Sequence, residues 1–142
     1  MRLGGRRLAQ DNKAVRERPL SPHLQIWRWH ITMWTSILHR ATGVALYGTI
    51  LIAAGWAVAL ASGPFVYAAY LGYVGSPLGK LVLFGATVST FFHLANGVRH
   101  LMWDAGEGLN TKTADMTAAA AMAFAVAASL AVWIIAFMTG KI

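Results

Sequence analysis

Three long apolar runs, separated by short polar or mixed segments, dominate the pattern along this chain of 142 residues. With their flanks, the runs cover about residues 36–61, 78–104 and 116–139. Each is long enough to cross a bilayer, because a spanning helix needs about 20 mainly apolar residues. The pattern predicts an all-α integral membrane protein with three transmembrane helices.

The segments outside the runs divide the chain into two parts. Residues 1–35 form a basic N-terminal and interfacial segment, and residues 36–142 form the three-helix anchor domain. Residues 62–77 hold Gly, Pro and three Tyr but no charge, which predicts an interfacial loop, with or without a half-turn of helix.

The short polar link at residues 105–115 predicts the end of one helix and the start of another. Gly106 and Gly108 are expected to stop the second spanning helix, because glycine is the common residue just past a helix C-terminus. Asp115 or Thr117 is expected to cap the third.

Composition supports the membrane interpretation and excludes some chemistry. Hydrophobic residues make up 57% of the chain and charged residues 12%, against about 45–50% and about 25% in soluble domains. The chain has no cysteine, which excludes a disulfide framework and iron–sulfur ligation by this chain.

Positive charge is concentrated at the N-terminal end. Eight of the twelve Lys and Arg lie in residues 1–40, opposed there only by Asp11 and Glu17. Beside apolar spans, such a bias favours the cytoplasmic or matrix side of a membrane over nucleic-acid binding. The N-terminus lacks the apolar core of a secretory signal. With three spans, residues 36–40 and 96–100 are then expected to approach the same membrane face.

The second run carries polar residues on one helical face. His93, Gly97, His100 and Asp104 are spaced i, i+4, i+7 and i+11. At about 1.5 Å rise per residue, His93 lies roughly 16 Å along the helix from Asp104, which places it within the hydrocarbon.

Two interpretations of His93 remain open from spacing alone. A neutral imidazole can hydrogen-bond a neighbouring helix and hold the bundle together. Imidazole is also a common axial ligand of haem iron, and ionisable residues inside membranes are functional candidates by default. Gly97 suits either close helix packing or close approach of a flat macrocycle. His100 is too near on the same helix face to supply a second axial ligand, so that ligand should come from another polypeptide.

Other polar residues near this face also allow two interpretations. Arg99 either extends to water from the helix end or takes part in function. Ser36 and Arg40, four residues apart, can hydrogen-bond a quinone carbonyl and stabilise negative charge on it, although the pair alone is commonplace. The three tryptophans of residues 24–34 are interpreted as interfacial anchors.

Three motifs together resemble one known family. "RPLSPH" at 18–23, "SILHRATG" at 36–43 and "HLANGVRHLMWDAG" at 93–106 are similar to the cytochrome b subunit of succinate dehydrogenase, the C-type membrane anchor of respiratory complex II. The likeness extends from residue 18 to about residue 137.

The resemblance implies specific roles. It implies that His93 is an axial ligand of a haem b shared with a second anchor, the D subunit. It implies that Ser36 and Arg40, with Ile37 between them, line a ubiquinone pocket. His39 and Arg40 would lie near the haem propionates, and Gly97 and His100 would also contact the haem. The residues with an implied role at the haem or the quinone are therefore Ser36, Ile37, His39, Arg40, His93, Gly97 and His100.

The resemblance also implies partners and a location. The implied partners are the D subunit, an iron–sulfur subunit and a flavoprotein subunit that oxidises succinate. The expected location is the bacterial inner membrane with a cytoplasmic N-terminus, or the mitochondrial inner membrane in a eukaryote. Two alternatives share the architecture, namely a haem-free structural anchor and the anchor of a fumarate reductase.

Overall fold

The computed structural model describes residues 26–140, which form four α-helices and no strand. Their bounds are α1 Ile31–Ala61, α2 Pro64–Val74, α3 Pro77–Asp104 and α4 Thr111–Met138. Three of them, α1, α3 and α4, are long and apolar enough to cross a membrane. The prediction of an all-α protein with three spanning helices is therefore confirmed.

The predicted N-terminal features lie partly outside the described residues. The motif at residues 18–23 and most of the basic segment belong to this outside part, as do residues 141–142. Where the structure begins, helix α1 already starts at Ile31 rather than near residue 36. It therefore includes part of the segment that was predicted to precede the first span.

The predicted loop at residues 62–77 is wrong, because this segment contains the eleven-residue helix α2. Gly63, in the left-handed region at φ 98°, turns the chain between α1 and α2, and a proline opens the new helix. The Tyr70 hydroxyl then donates to the Ile52 carbonyl on α1 at 2.7 Å. This bond holds α2 against α1, which local sequence signals do not reveal.

The turn between α2 and α3 requires glycine at position 79. A Cβ there would overlap the backbone carbonyl oxygens of Tyr73 and Val74. Ser76 caps α3 by accepting from the Gly79 N–H at 3.1 Å. The two helices can therefore pack closely at this turn.

The start of α4 differs from the prediction. Asn110 caps the helix, accepting from the Thr113 N–H at 2.9 Å, so neither Asp115 nor Thr117 is the cap and the helix begins before residue 116. Gly106 and Gly108 both have positive φ, at 80° and 70°, as expected for residues that end α3.

Helix α3 packs between the other two spans. Its contact with α4 uses small residues, since Ala118, Ala121, Ala125 and Ser129 are all buried. Such residues let membrane helices approach closely. Toward the far end, the Trp133 indole donates to the Thr87 hydroxyl at 3.3 Å.

Helices α1 and α3 run in opposite directions. The first turns of α1 therefore lie beside the last turns of α3, and the first turn of α4 meets them there. His30 Nδ1 lies 3.3 Å from Asp115 Oδ1, within ion-pair distance although this oxygen lacks hydrogen-bond geometry. We call this end of the bundle, where α1 and α4 begin and α3 ends, the polar end.

Candidate functional site

A cluster of histidines lies between α1 and α3 at the polar end. The rings of His39 and His93 stack with centroids 3.9 Å apart and planes 15° apart. The His100 ring lies 5.0 Å from that of His39. The prediction that residues 36–40 and 96–100 come together is confirmed by the contact between His39 and His100.

A hydrogen bond determines which nitrogen of His93 carries the proton. His93 Nδ1 lies 3.1 Å from the His39 carbonyl oxygen, an obligate acceptor. Nδ1 therefore carries a hydrogen and donates, and in the neutral form of the ring this leaves the lone pair on Nε2. Thr42 Oγ1 lies 3.3 Å from the same Nδ1. Both polar contacts of His93 within the described part of the chain thus involve Nδ1.

This is the arrangement that metal-ligating histidines usually adopt. Such a histidine donates its other ring N–H to a carbonyl or carboxylate, which sets both the tautomer and the ring orientation. Helix α1 supplies that carbonyl here. The residues present therefore fit an axial imidazole, because the bond to α1 uses Nδ1 and leaves Nε2 without a partner in the described part of the chain.

Two glycines shape the space around His93. A Cβ at Gly43 would lie 3.2 Å from His93 Cε1, closer than the usual 3.5–4.0 Å separation of carbon atoms. Gly43 therefore allows the ring to approach α1. A Cβ at Gly97 would meet nothing within 4 Å, so this side of α3 is open to a flat group.

His39 has a polar atom without a partner. Its Nδ1 is buried and forms no hydrogen bond within residues 26–140. A buried polar atom without a partner is uncommon and costs free energy. A carboxylate or water at this point would satisfy it. Haem propionates are carboxylates, so this atom also fits the group that the family resemblance implies.

The predicted quinone residues lie on the rim of the cluster. Ser36, Ile37 and Arg40 are all exposed in this chain. Arg40 Nε donates to the Ser36 backbone carbonyl at 3.4 Å, which places the guanidinium over the turn that carries Ser36. Most of the donors of Arg40 therefore stay available to a bound group.

Arg99 is not at the water surface. Its side chain is 3% exposed, so the interpretation as an arginine that extends to water is wrong. The guanidinium donates to Thr35 Oγ1 at 3.3 Å, Asn96 Oδ1 at 3.0 Å and Thr117 Oγ1 at 3.1 Å. It also donates to the Ala114 carbonyl at 3.1 Å. Arg99 thus joins α1, α3 and α4.

The tryptophans before and within α1 form an exposed aromatic cluster. Trp29 stacks on Trp34 with centroids 4.4 Å apart, and Trp27 meets Trp29 edge-on at 4.7 Å. All three are about half exposed. Their predicted anchoring at a membrane surface agrees with this exposure and stays a prediction.

Sequence reasoning missed three residues of this region. Thr42 and Gly43 support His93, and Thr35 accepts from Arg99, but none was singled out. Gly43 lies seven residues after Ser36 and four after His39, hence on the same helical face. That spacing was a usable signal, whereas the partners of Thr35 and Thr42 depend on how the helices meet.

Comparison with known proteins places the chain in a family. Residues 14–132 match the family model of the succinate dehydrogenase/fumarate reductase transmembrane subunit. The chain is 38% identical over 121 residues to the succinate dehydrogenase cytochrome b556 subunit of Paracoccus denitrificans. This match covers 85% of the chain and 93% of that protein.

Two further relatives extend the likeness to other bacteria and to mitochondria. The cytochrome b556 subunit of Rickettsia felis is 34% identical over 118 residues, 83% of this chain and 92% of that protein. The mitochondrial cytochrome b560 subunit of Mus musculus is 38% identical over 117 residues, 79% of this chain and 68% of that protein. The chain therefore belongs to the family of succinate dehydrogenase and fumarate reductase transmembrane subunits, as a membrane subunit of succinate dehydrogenase of the cytochrome b type.

Proposed function

We propose that His93 is one axial ligand of a haem b that this chain shares with a second membrane-anchor subunit. The observation that carries the proposal is the 3.1 Å bond from His93 Nδ1 to the His39 carbonyl, which leaves Nε2 free. His100 lies seven residues after His93 on the same face of α3. It is therefore on the same side of the haem as His93 and cannot bind the iron from the opposite side. The second ligand is therefore expected from the partner anchor, the D subunit.

The same chain would hold the haem through further contacts. Gly97 leaves room beside α3, and the buried Nδ1 of His39 has no partner in the described part of the chain. His39, Arg40 and His100 would bind the propionates by hydrogen bonds and charge. Haem b, when bound, supplies a one-electron carrier within the membrane.

Ser36 and Arg40 are proposed to bind ubiquinone, with Ile37 as an apolar contact. The Ser36 hydroxyl and the Arg40 guanidinium would both donate to one quinone carbonyl oxygen. Negative charge builds on this oxygen as electrons arrive, and a fixed guanidinium stabilises it. Protons would enter from the water phase next to the polar end.

The proposed reaction needs partners that this chain does not include. Electrons would come from succinate through a flavoprotein subunit and an iron–sulfur subunit, the latter facing the polar end. We place the N-terminus on the cytoplasmic or matrix side, because the basic residues concentrate there. The complex would lie in the bacterial inner membrane, or in the mitochondrial inner membrane of a eukaryote.

The test of haem ligation compares two histidine variants in the purified complex. His93→Ala is expected to remove the b-type band from the reduced-minus-oxidised absorption spectrum while the subunits still co-purify. His30→Ala is the control, because this histidine contacts Thr32 and Asp115 and has no place in the proposed haem or quinone contacts; it should keep the band. An unchanged spectrum in the His93 variant, or a wild-type complex without the band, would overturn the ligand assignment and favour a purely structural anchor.

The test of the quinone site uses Arg40→Ala in the same complex. The KM for a short-chain ubiquinone should rise, because a donor to the carbonyl oxygen is lost. Succinate oxidation with a soluble electron acceptor should not change, since that acceptor does not use the membrane site. Normal quinone kinetics in a variant that keeps its haem would refute the pocket assignment.

A further inference from the structure

Arg99 joins three helices at one point, and neither the proposed haem site nor the proposed quinone site uses this junction. Its guanidinium donates to acceptors on α1, α3 and α4, and all four acceptors are neutral oxygen atoms. The Trp103 ring lies 4.1 Å from its central carbon. A cation inside a membrane protein is costly unless it is well bonded. Such a complete set of partners therefore indicates that the position of Arg99 is tightly determined.

The bond to α1 reaches the turn that carries the proposed quinone residues. Thr35 is fully buried and accepts from Arg99 at 3.3 Å. Ser36 is the next residue along the chain, and Arg40 follows one turn later. Because a helix turns as a rigid body, holding Thr35 against Arg99 sets the rotation of this turn, and with it the directions of Ser36 and Arg40.

Arg99 bonds α4 in the same way as α1, by donating to a threonine hydroxyl. Thr117 accepts from Arg99 Nε at 3.1 Å and donates to the carbonyls of its own helix, those of Thr113 and Ala114. Thr35 likewise donates to the Thr32 carbonyl of its own helix at 3.0 Å. Both threonines thus accept from Arg99 and donate to a carbonyl of their own helix; Thr35 lies on α1 and is fully buried, whereas Thr117 lies on α4 and is partly buried.

We propose that Arg99 is a positioning residue for quinone binding, acting through Thr35 on the turn that carries Ser36 and Arg40. The inference rests on the proposed function, since it assumes that these two residues bind quinone. Arg99 itself does not touch the substrate in this assignment. A lysine cannot replace it, because an ammonium group lacks the planar fork that reaches acceptors on three helices at once.

The test compares Thr35→Val with Thr117→Val in the purified complex. Each change keeps the shape of the side chain and removes one acceptor of Arg99. Thr35→Val should raise the KM for a short-chain ubiquinone by about threefold to tenfold, the effect of one misplaced hydrogen bond. Thr117→Val should leave that KM unchanged. The haem spectrum and succinate oxidation with a soluble acceptor should match the wild type in both.

Equal KM values in the two variants, whether both raised or both normal, would overturn the inference. If Thr35→Val does not assemble, Thr35→Ala and Thr35→Ser replace it: the serine variant keeps the acceptor and should keep the KM, and the alanine variant should not. Arg40→Ala separates this failure from that of the proposed function. A raised KM in the Arg40 variant beside a normal one in the Thr35 variant refutes only the positioning role.

Discussion

Gly43 provides a sharp test of how closely His93 must approach α1. Any side chain at this position places a Cβ 3.2 Å from His93 Cε1, inside the normal carbon–carbon separation. Gly43→Val adds two further methyl groups at the same place. The His93 ring would have to move away and lengthen its 3.1 Å bond to the His39 carbonyl. The predicted result is loss of the fixed orientation of Nε2.

The size of the effect follows from the cost of overpacking. Forcing extra carbon atoms into a well-packed contact costs about 1–3 kcal/mol. If this whole cost is subtracted from the free energy of haem binding, the affinity for haem should drop by about fivefold to 150-fold. The assay is the amount of haem b per purified complex, measured from the reduced-minus-oxidised spectrum with haem supply limited during expression.

Gly72→Val is the matched control for this prediction. Gly72 also lies inside a helix, α2, and a Cβ there meets nothing within 4 Å. Both variants change helix propensity alike, so the difference between them isolates the steric effect on His93. Equal haem content in the two variants would show that the contact between Gly43 and His93 does not hold the ring, and the reasoning would be refuted.

Two further predictions concern the stability of the bundle away from the histidines. Gly79→Ala should destabilise the turn between α2 and α3 by about 1–3 kcal/mol, because its Cβ would overlap backbone carbonyls. Thermal inactivation in detergent measures this loss of stability. Gly72→Ala is the control, and it should keep the stability of the wild type because a Cβ there meets nothing within 4 Å. Trp133→Phe removes the 3.3 Å bond to Thr87, worth about 0.6 kcal/mol on the average for interhelical bonds in one membrane protein, and part of the ring contact with Phe84. In a Thr87→Val background the Trp133→Phe loss should be smaller by the contribution of the bond, and an undiminished loss there would contradict the assignment to this bond.

The apolar pattern was sufficient to predict the spans because lipid imposes one strong rule. Backbone polar groups cannot remain unpaired in hydrocarbon, so a long apolar run must form a helix. The boundaries were less well predicted. Helix α2 was expected to be a loop, because Gly, Pro and Tyr in this segment are compatible with a loop and with a short helix. The position of α2 depends on the bond between Tyr70 and Ile52.

The candidate site shows the same division residue by residue. The spacing of His93, Gly97 and His100 on one helical face was visible in the sequence. The three-span topology also predicted that residues 36–40 lie near the end of the second span. The role of Arg99 was not, because one-dimensional spacing allows both an arginine at the water surface and a buried one. Only its partners on α1 and α4 decide between them.

The sequence by itself determined that this chain forms apolar helices with a polar stripe at one end, because hydropathy and helical periodicity are local properties. Only the tertiary structure decided which nitrogen of His93 carries a proton, that Gly43 lies against its ring, and that Arg99 joins three helices. The physical reason is that each of these depends on atoms from segments more than 15 residues apart in the chain. Their meeting is set by how the helices pack, which no local pattern encodes.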